Sequence, residues 1–95
     1  MKPAELSAAR VERIRAVVHD SLHPVQLEIR DDSAAHAGHH GAGGMGHFYV
    51  RVVSDAFAGK SLVERHRLVH DALAALLETD IHALALTTRT PDEIL

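Results

Sequence analysis

The chain has 95 residues, with 10 Lys and Arg against 13 Asp and Glu, nine histidines, two Phe, one Tyr and no cysteine. That length supports a single domain with a modest core, which argues against an enzyme that encloses a large substrate. Without a thiol there is no disulfide framework, cysteine zinc finger or cysteine nucleophile, and a formal charge of -3 argues against a generally basic nucleic-acid binder. Imidazole is left as the main donor for a borderline-soft metal, and its charge changes near neutral pH.

Pro3 to about Leu22 is predicted as an amphipathic helix. Pro3 suits a first turn, Val11, Ile14, Val18 and Leu22 share a face, and Arg10, Glu12, Arg13 and Arg15 lie mainly elsewhere. Its mixture of charged and apolar residues is no export signal, and Glu5 and Glu12 are wrong for a mitochondrial presequence. No stretch reaches the roughly 18 to 20 apolar residues of a membrane span, so a cytoplasmic domain without membrane contact is the expectation.

Pro24 ends the helix, and Val25 to Asp31 alternates: Val25, Leu27 and Ile29 on one side, Gln26, Glu28 and Arg30 on the other, as in a strand with one wet face. Residues 32–46 hold five of the six glycines and no β-branched residue, and read as a flexible loop. It is long beside the usual hairpin connection of about 2 to 5 residues, and such loops are commonly functional or disordered. His47 to Ser54 is the second predicted strand, with Phe48, Val50 and Val52 toward the core.

Ser61 and Glu64 form a capping box that opens a second helix. Leu62, His66, Val69, Leu73, Leu76 and Leu77 make its apolar stripe, Glu64, Arg67, Asp71 and Glu78 face outward, and Arg67 with Asp71 is spaced for a weak ion pair. Ile81 to Thr88 reads as a third strand, and Thr90-Pro91-Asp92-Glu93 as the start of a short C-terminal helix. The predicted fold class is therefore α+β, a single domain in α-β-β-α-β order with a three-stranded mixed sheet packed by helices. A strand-helix-strand connection within one sheet usually makes a parallel crossover. The start of the third strand then lies at the same end of the sheet as the start of the second, beside the glycine-rich loop.

That convergence concerns histidines. His36, His39, His40 and His47 lie in or next to the loop. They read either as solvated filler that takes up nickel or zinc adventitiously, or as neutral imidazoles that a flexible segment swings toward one ion. His82 alternates with Leu84 and Leu86, opposite Ile81, Ala83 and Ala85. It reads either as a structural histidine bonded to backbone or, given the nearby loop, as a ligand. One or two imidazoles cannot complete a tetrahedral site, so any metal is shared with a partner or keeps open positions. His66 belongs to packing, and His19, His23 and His70 are assigned no site. Lys60, Arg65 and Arg67 are the candidates for phosphate contact, although Arg65 and Arg67 diverge around the helix beside Glu64, and a self-paired surface is the simpler reading. The single glycine of AFAGKS is not a KH-type GxxG clamp.

LEIRDDSAAHAGH, HFYVRVVSDAFAGKSLVERHRLVHDAL and IHALALTTRTPDE, in this order and spacing, resemble the BolA family over nearly the whole chain. The most specific pieces are the strand opening HF, the FxGxS turn running into RHR, and HAL in the last strand. The resemblance implies a fold similar to class II KH domains and a partner, a monothiol glutaredoxin. The implied pair is a heterodimer holding a bridging 2Fe-2S iron-sulfur cluster, with the glutaredoxin cysteine and glutathione on one side and histidines of this chain on the other. The ligands implied are His82, from the HAL motif, and a loop residue that matches His36, with His39 and His40 as substitutes on the same loop. The expectation is a non-catalytic adaptor for iron-sulfur cluster trafficking and assembly or for iron sensing, monomeric alone and with no tightly bound cofactor of its own. The family's alternative role is DNA-binding transcriptional regulation of stress response and cell morphology, for which Lys60, Arg65 and Arg67 would serve.

Overall fold

The computed structural model describes residues 3–33 and 44–95. The N-terminal helix, α1 (Pro3–Leu22), buries Ile14, Val18 and Leu22. It ends where His23 turns into the left-handed region at φ 45°, its N–H still bonded to the His19 carbonyl, and Pro24 follows. Strand β1 (Gln26–Asp31) pairs antiparallel with β2 (Gly46–Val53), with Ile29 opposite Val50 and Leu27 opposite Val52. Leu27 and Ile29 pack against the core as the alternation requires. Val25 does not: it precedes the strand and is 59% exposed, although its N–H bonds the Val53 carbonyl.

A 3₁₀ turn at Asp55–Phe57 sends Phe57 into the core. The capping box forms as expected, the Ser61 hydroxyl accepting from the Glu64 N–H and the Glu64 carboxylate from the Ser61 N–H, and opens α2 (Leu62–Ala72). The predicted single helix is two: α2 ends at Leu73 (φ -94°, ψ 8°), and α3 (Ala74–Thr79) restarts beyond it. Leu73 is fully buried at this break, and Leu76 and Leu77 pack against the same core from the far side of it. Leu62 leaves the expected stripe. The whole first turn, residues 61 to 64, is exposed, and Leu62 with it.

Strand β3 (Ile81–Arg89) then joins the other side of β2 in parallel, giving the three-stranded order β1-β2-β3, and a 3₁₀ turn at Pro91–Ile94 closes the described chain. The predicted mixed sheet and crossover are thus present. Phe48, Val50 and Val52 of the central strand meet Ile14 and Val18 of α1, Val69 and Leu73, Phe57 and Ile81 in one core. The opposite sheet face is polar and wet. There Tyr49 donates to Thr87 Oγ1 at 2.9 Å, Arg30 lies 4.6 Å over the Tyr49 ring, and Arg51 donates to Gln26. No helix among the described residues is long and apolar enough to cross a membrane.

Candidate functional site

The ladder between β2 and β3 is regular from His47 opposite Ala83 to Val53 opposite Arg89, but its first rung pairs Gly46 with Ile81. One step along β2 is matched by two along β3, which leaves His82 as the extra residue of a β-bulge. Bulges of this kind re-aim a side chain and are common beside functional sites. The expected alternation of His82 with Leu84 and Leu86 fails for this reason. Ile81 and Leu84 both reach the core side, whereas His82 is exposed. Its ring meets that of His47, with centroids 5.2 Å apart and planes tilted by 56°.

His47 is half-buried, with Nε2 buried, and lines a shallow cavity of about 210 Å³ together with Asp32, Phe48, Ala83, Leu84 and Ala85. Its backbone is held on both sides by the stem of the loop. The Asp32 N–H donates to the His47 carbonyl at 2.7 Å, and the His47 N–H donates to Ser33 Oγ at 3.0 Å. The stem is anchored in turn: the Asp31 carboxylate accepts from the Ser33 N–H at 2.8 Å and from the Ser7 hydroxyl of α1. Burial raises the Asp31 pKa, but these hydrogen bonds outweigh it and hold the carboxyl below its ordinary value.

The far end of the loop is fixed by charge. Asp80, just before β3, accepts from Arg13 at 3.1 Å through two nitrogens and from Arg10 at 3.4 Å, and its carboxyl is held low mainly by the Arg13 bond. Arg10 also donates to the Gly44 carbonyl, and the Gly46 N–H donates to the Asp80 carbonyl. Gly46 has no room for a side chain: a Cβ there would lie 2.6 Å from the Phe48 ring and 2.8 Å from Ser33 Oγ. Both ends of the loop, the start of β2 and the start of β3 are therefore tied into one corner around His82.

His36, His39 and His40 lie outside the described residues. Among those described, no three His, Asp or Glu side chains converge to hold a metal ion. The Arg10–Arg13–Asp80 clamp carries no signal in the sequence, where His47 stands only as one of the histidines beside the loop. The HF and HAL motifs contain the two rings, and parallel pairing brings them to one end, but a bulge leaves no mark in the sequence.

The three basic candidates divide between two hollows that share Lys60. Arg65 is bound internally, bidentate to Glu93 at 2.6 and 3.1 Å and to the Lys60 carbonyl at 2.9 Å, with 13% of its side chain exposed. The Arg65 bonds, followed by the Thr90 N–H, lower the Glu93 pKa to about 2. Lys60 and Arg65 line a depression of about 410 Å³ with Leu62, Thr88, Arg89 and Glu93. Arg67 is exposed beside a different hollow, lined by Lys60, Glu64, Leu68 and Asp71. The expected Arg67–Asp71 ion pair is absent among the described residues. His66 is half-buried as a packing residue, and its buried Nε2 has no hydrogen-bond partner among the described residues.

A family model described as BolA-like protein matches residues 18–93. The chain is 47% identical over 92 residues to the SufE-like protein 1, chloroplastic/mitochondrial, of Arabidopsis thaliana, which covers 90% of this chain but 25% of that protein's length. It is 43% identical over 82 residues to the DNA-binding transcriptional regulator BolA of Escherichia coli, covering 86% of this chain and 76% of that one. The solved BolA domain of the Arabidopsis SufE1 protein superposes with a TM-score of 0.78 at 50% identity, over 86% of this chain and 92% of that domain.

Proposed function

Because the chain belongs to the BolA family, we propose that it is a non-catalytic adaptor in iron-sulfur cluster handling. In this reading it binds a monothiol glutaredoxin as a heterodimer and shares a bridging 2Fe-2S cluster through His82 and one loop imidazole. The observation that carries the reading is the β-bulge that turns His82 out of the core, beside the anchored loop stem.

The donor set fits a shared group. This chain has no cysteine, so its contribution is imidazole and the thiolates come from the glutaredoxin and glutathione. The family resemblance matches His36, three positions after the anchored Ser33, to the loop ligand, with His39 and His40 as substitutes. Imidazole ligation at one iron raises a cluster's reduction potential above that of all-thiolate ligation.

The test is anaerobic titration of a cluster-loaded monothiol glutaredoxin and glutathione with this protein, followed by visible absorption and circular dichroism. A new spectrum is expected, lost in His82→Ala and altered in one of His36→Ala, His39→Ala or His40→Ala. An unchanged spectrum on mixing, or a His82→Ala spectrum identical to the parent's, would contradict the assignment.

DNA binding is the second reading, favoured by the name of the Escherichia coli relative. Phosphate neutralisation supplies most non-specific affinity, and here Arg65 is already committed to Glu93. Steeply salt-dependent binding that falls in Lys60→Ala or Arg67→Ala, yet resists non-specific competitor at physiological salt, would favour it over the adaptor.

A further inference from the structure

We infer that His47 is the positioning residue for His82, and that it links the two ligand-bearing segments mechanically. The inference rests on the reading of His82 as a cluster ligand. A bulge residue sits outside the regular ladder, so the sheet does not fix its side chain as it fixes Leu84 or Leu86. An exposed imidazole in that place must give up rotamer freedom when it ligates. The His47 ring, 5.2 Å away and tilted by 56°, restricts that freedom beforehand.

His47 is suited to this because its own position is over-determined. Its carbonyl accepts from Asp32, its N–H donates to Ser33 Oγ, and its ring forms part of the cavity wall with Asp32, Phe48 and Ala83. Its Nε2 is buried, and the ring forms part of the cavity wall. The residue that orients the strand ligand is therefore also the one to which the loop stem is bonded. A shift of the stem moves the His47 backbone and, through its ring, His82.

Residues that orient a metal ligand typically contribute about 10- to 100-fold in metal affinity. In the assembled complex with cluster-loaded glutaredoxin, His47→Ala is expected to lose the cluster to a chelator about 10-fold faster than the parent. His47→Phe, which keeps a ring of similar size without an imidazole, is expected to stay near the parent rate. Pulsed electron paramagnetic resonance of the reduced cluster should count the same number of coordinated imidazoles in all three proteins. In the metal-free proteins, side-chain NMR should show one preferred His82 rotamer in the parent and in His47→Phe, and averaging in His47→Ala.

Parent-like retention and an unchanged His82 rotamer in His47→Ala would overturn the inference. Loss of one coordinated imidazole in His47→Phe would also overturn it, by making His47 a ligand. If the parent complex shows no imidazole from this chain, the adaptor reading fails instead, and the metal-free rotamer measurement decides whether His47 orders His82.

Discussion

Gly46→Ala probes the corner on which the site depends. The added Cβ would meet Phe48 Cε2 at 2.6 Å, Phe48 Cζ at 2.9 Å and Ser33 Oγ at 2.8 Å, all inside van der Waals contact. The Phe48 ring is 2% exposed in the core and has little space to retreat, and overpacking of this kind typically costs about 1–3 kcal/mol. Ser33 can move, but only by giving up the bond from the His47 N–H, a loss of about 1 kcal/mol. The sum is about 2–4 kcal/mol, which for a domain of this size lowers Tm on the order of 10–25 °C. Urea denaturation of parent, Gly46→Ala, Ser33→Ala and the double variant measures it. Removing Ser33 Oγ relieves one of the two clashes, so the double variant should be more stable than additivity predicts by about 1 kcal/mol. A Gly46→Ala protein within about 0.5 kcal/mol of the parent, or strict additivity in the cycle, would refute the tight-corner reasoning.

Other perturbations test the surrounding structure. Asp80→Asn leaves Arg10, whose side chain is 13% exposed, without its carboxylate and is expected to cost roughly 2–4 kcal/mol in urea denaturation; Arg13→Gln, at a side chain 44% exposed, should cost less. The Glu93 carboxyl, ordinarily near 4.5, lies at about 2 when paired with Arg65, so its stabilising contribution is complete above about pH 4.5 and is lost as pH falls through about 2. The Tm difference between parent and Glu93→Gln should therefore be constant near neutrality, collapse toward pH 2, and shrink in high salt; a difference that grows on acidification would reverse the assignment. Leu73→Ala, at the fully buried break between α2 and α3, should cost about 2–5 kcal/mol by cavity formation.

Much of the fold is legible because local chemistry and burial agree. Ile14, Val18 and Leu22 repeat at helical spacing and are buried, Phe48, Val50 and Val52 alternate and are buried, and the Ser61–Glu64 box starts its helix where its spacing says. The failures share a cause: they depend on neighbours distant in sequence. Val25 continues an alternating pattern but lies just before the paired strand, and Leu62 continues an apolar stripe in a turn that stands clear of the core. Leu73 marks a helix break without a Pro or Gly to announce it. Within the site, the convergence of loop and third strand follows from the parallel crossover, and the corner is built as that topology requires. The exposure of His82 is not legible there, because it depends on the register slip between Gly46 and His47. Arg10 and Arg13 likewise read as solvent-facing helix charges until Asp80, some 67 to 70 positions later, is folded against them.

The central claim is that this chain ligates a shared cluster through its own imidazoles. It is tested most directly by labelling the histidines of this protein alone with ¹⁵N, assembling it with unlabelled cluster-loaded monothiol glutaredoxin and glutathione, and recording pulsed electron paramagnetic resonance of the reduced complex. The account predicts ¹⁵N coupling of the strength of direct ligation, from His82 and one loop histidine, with the His82 coupling lost in His82→Ala. A spectrum indifferent to the label, in a complex that has formed, would contradict it.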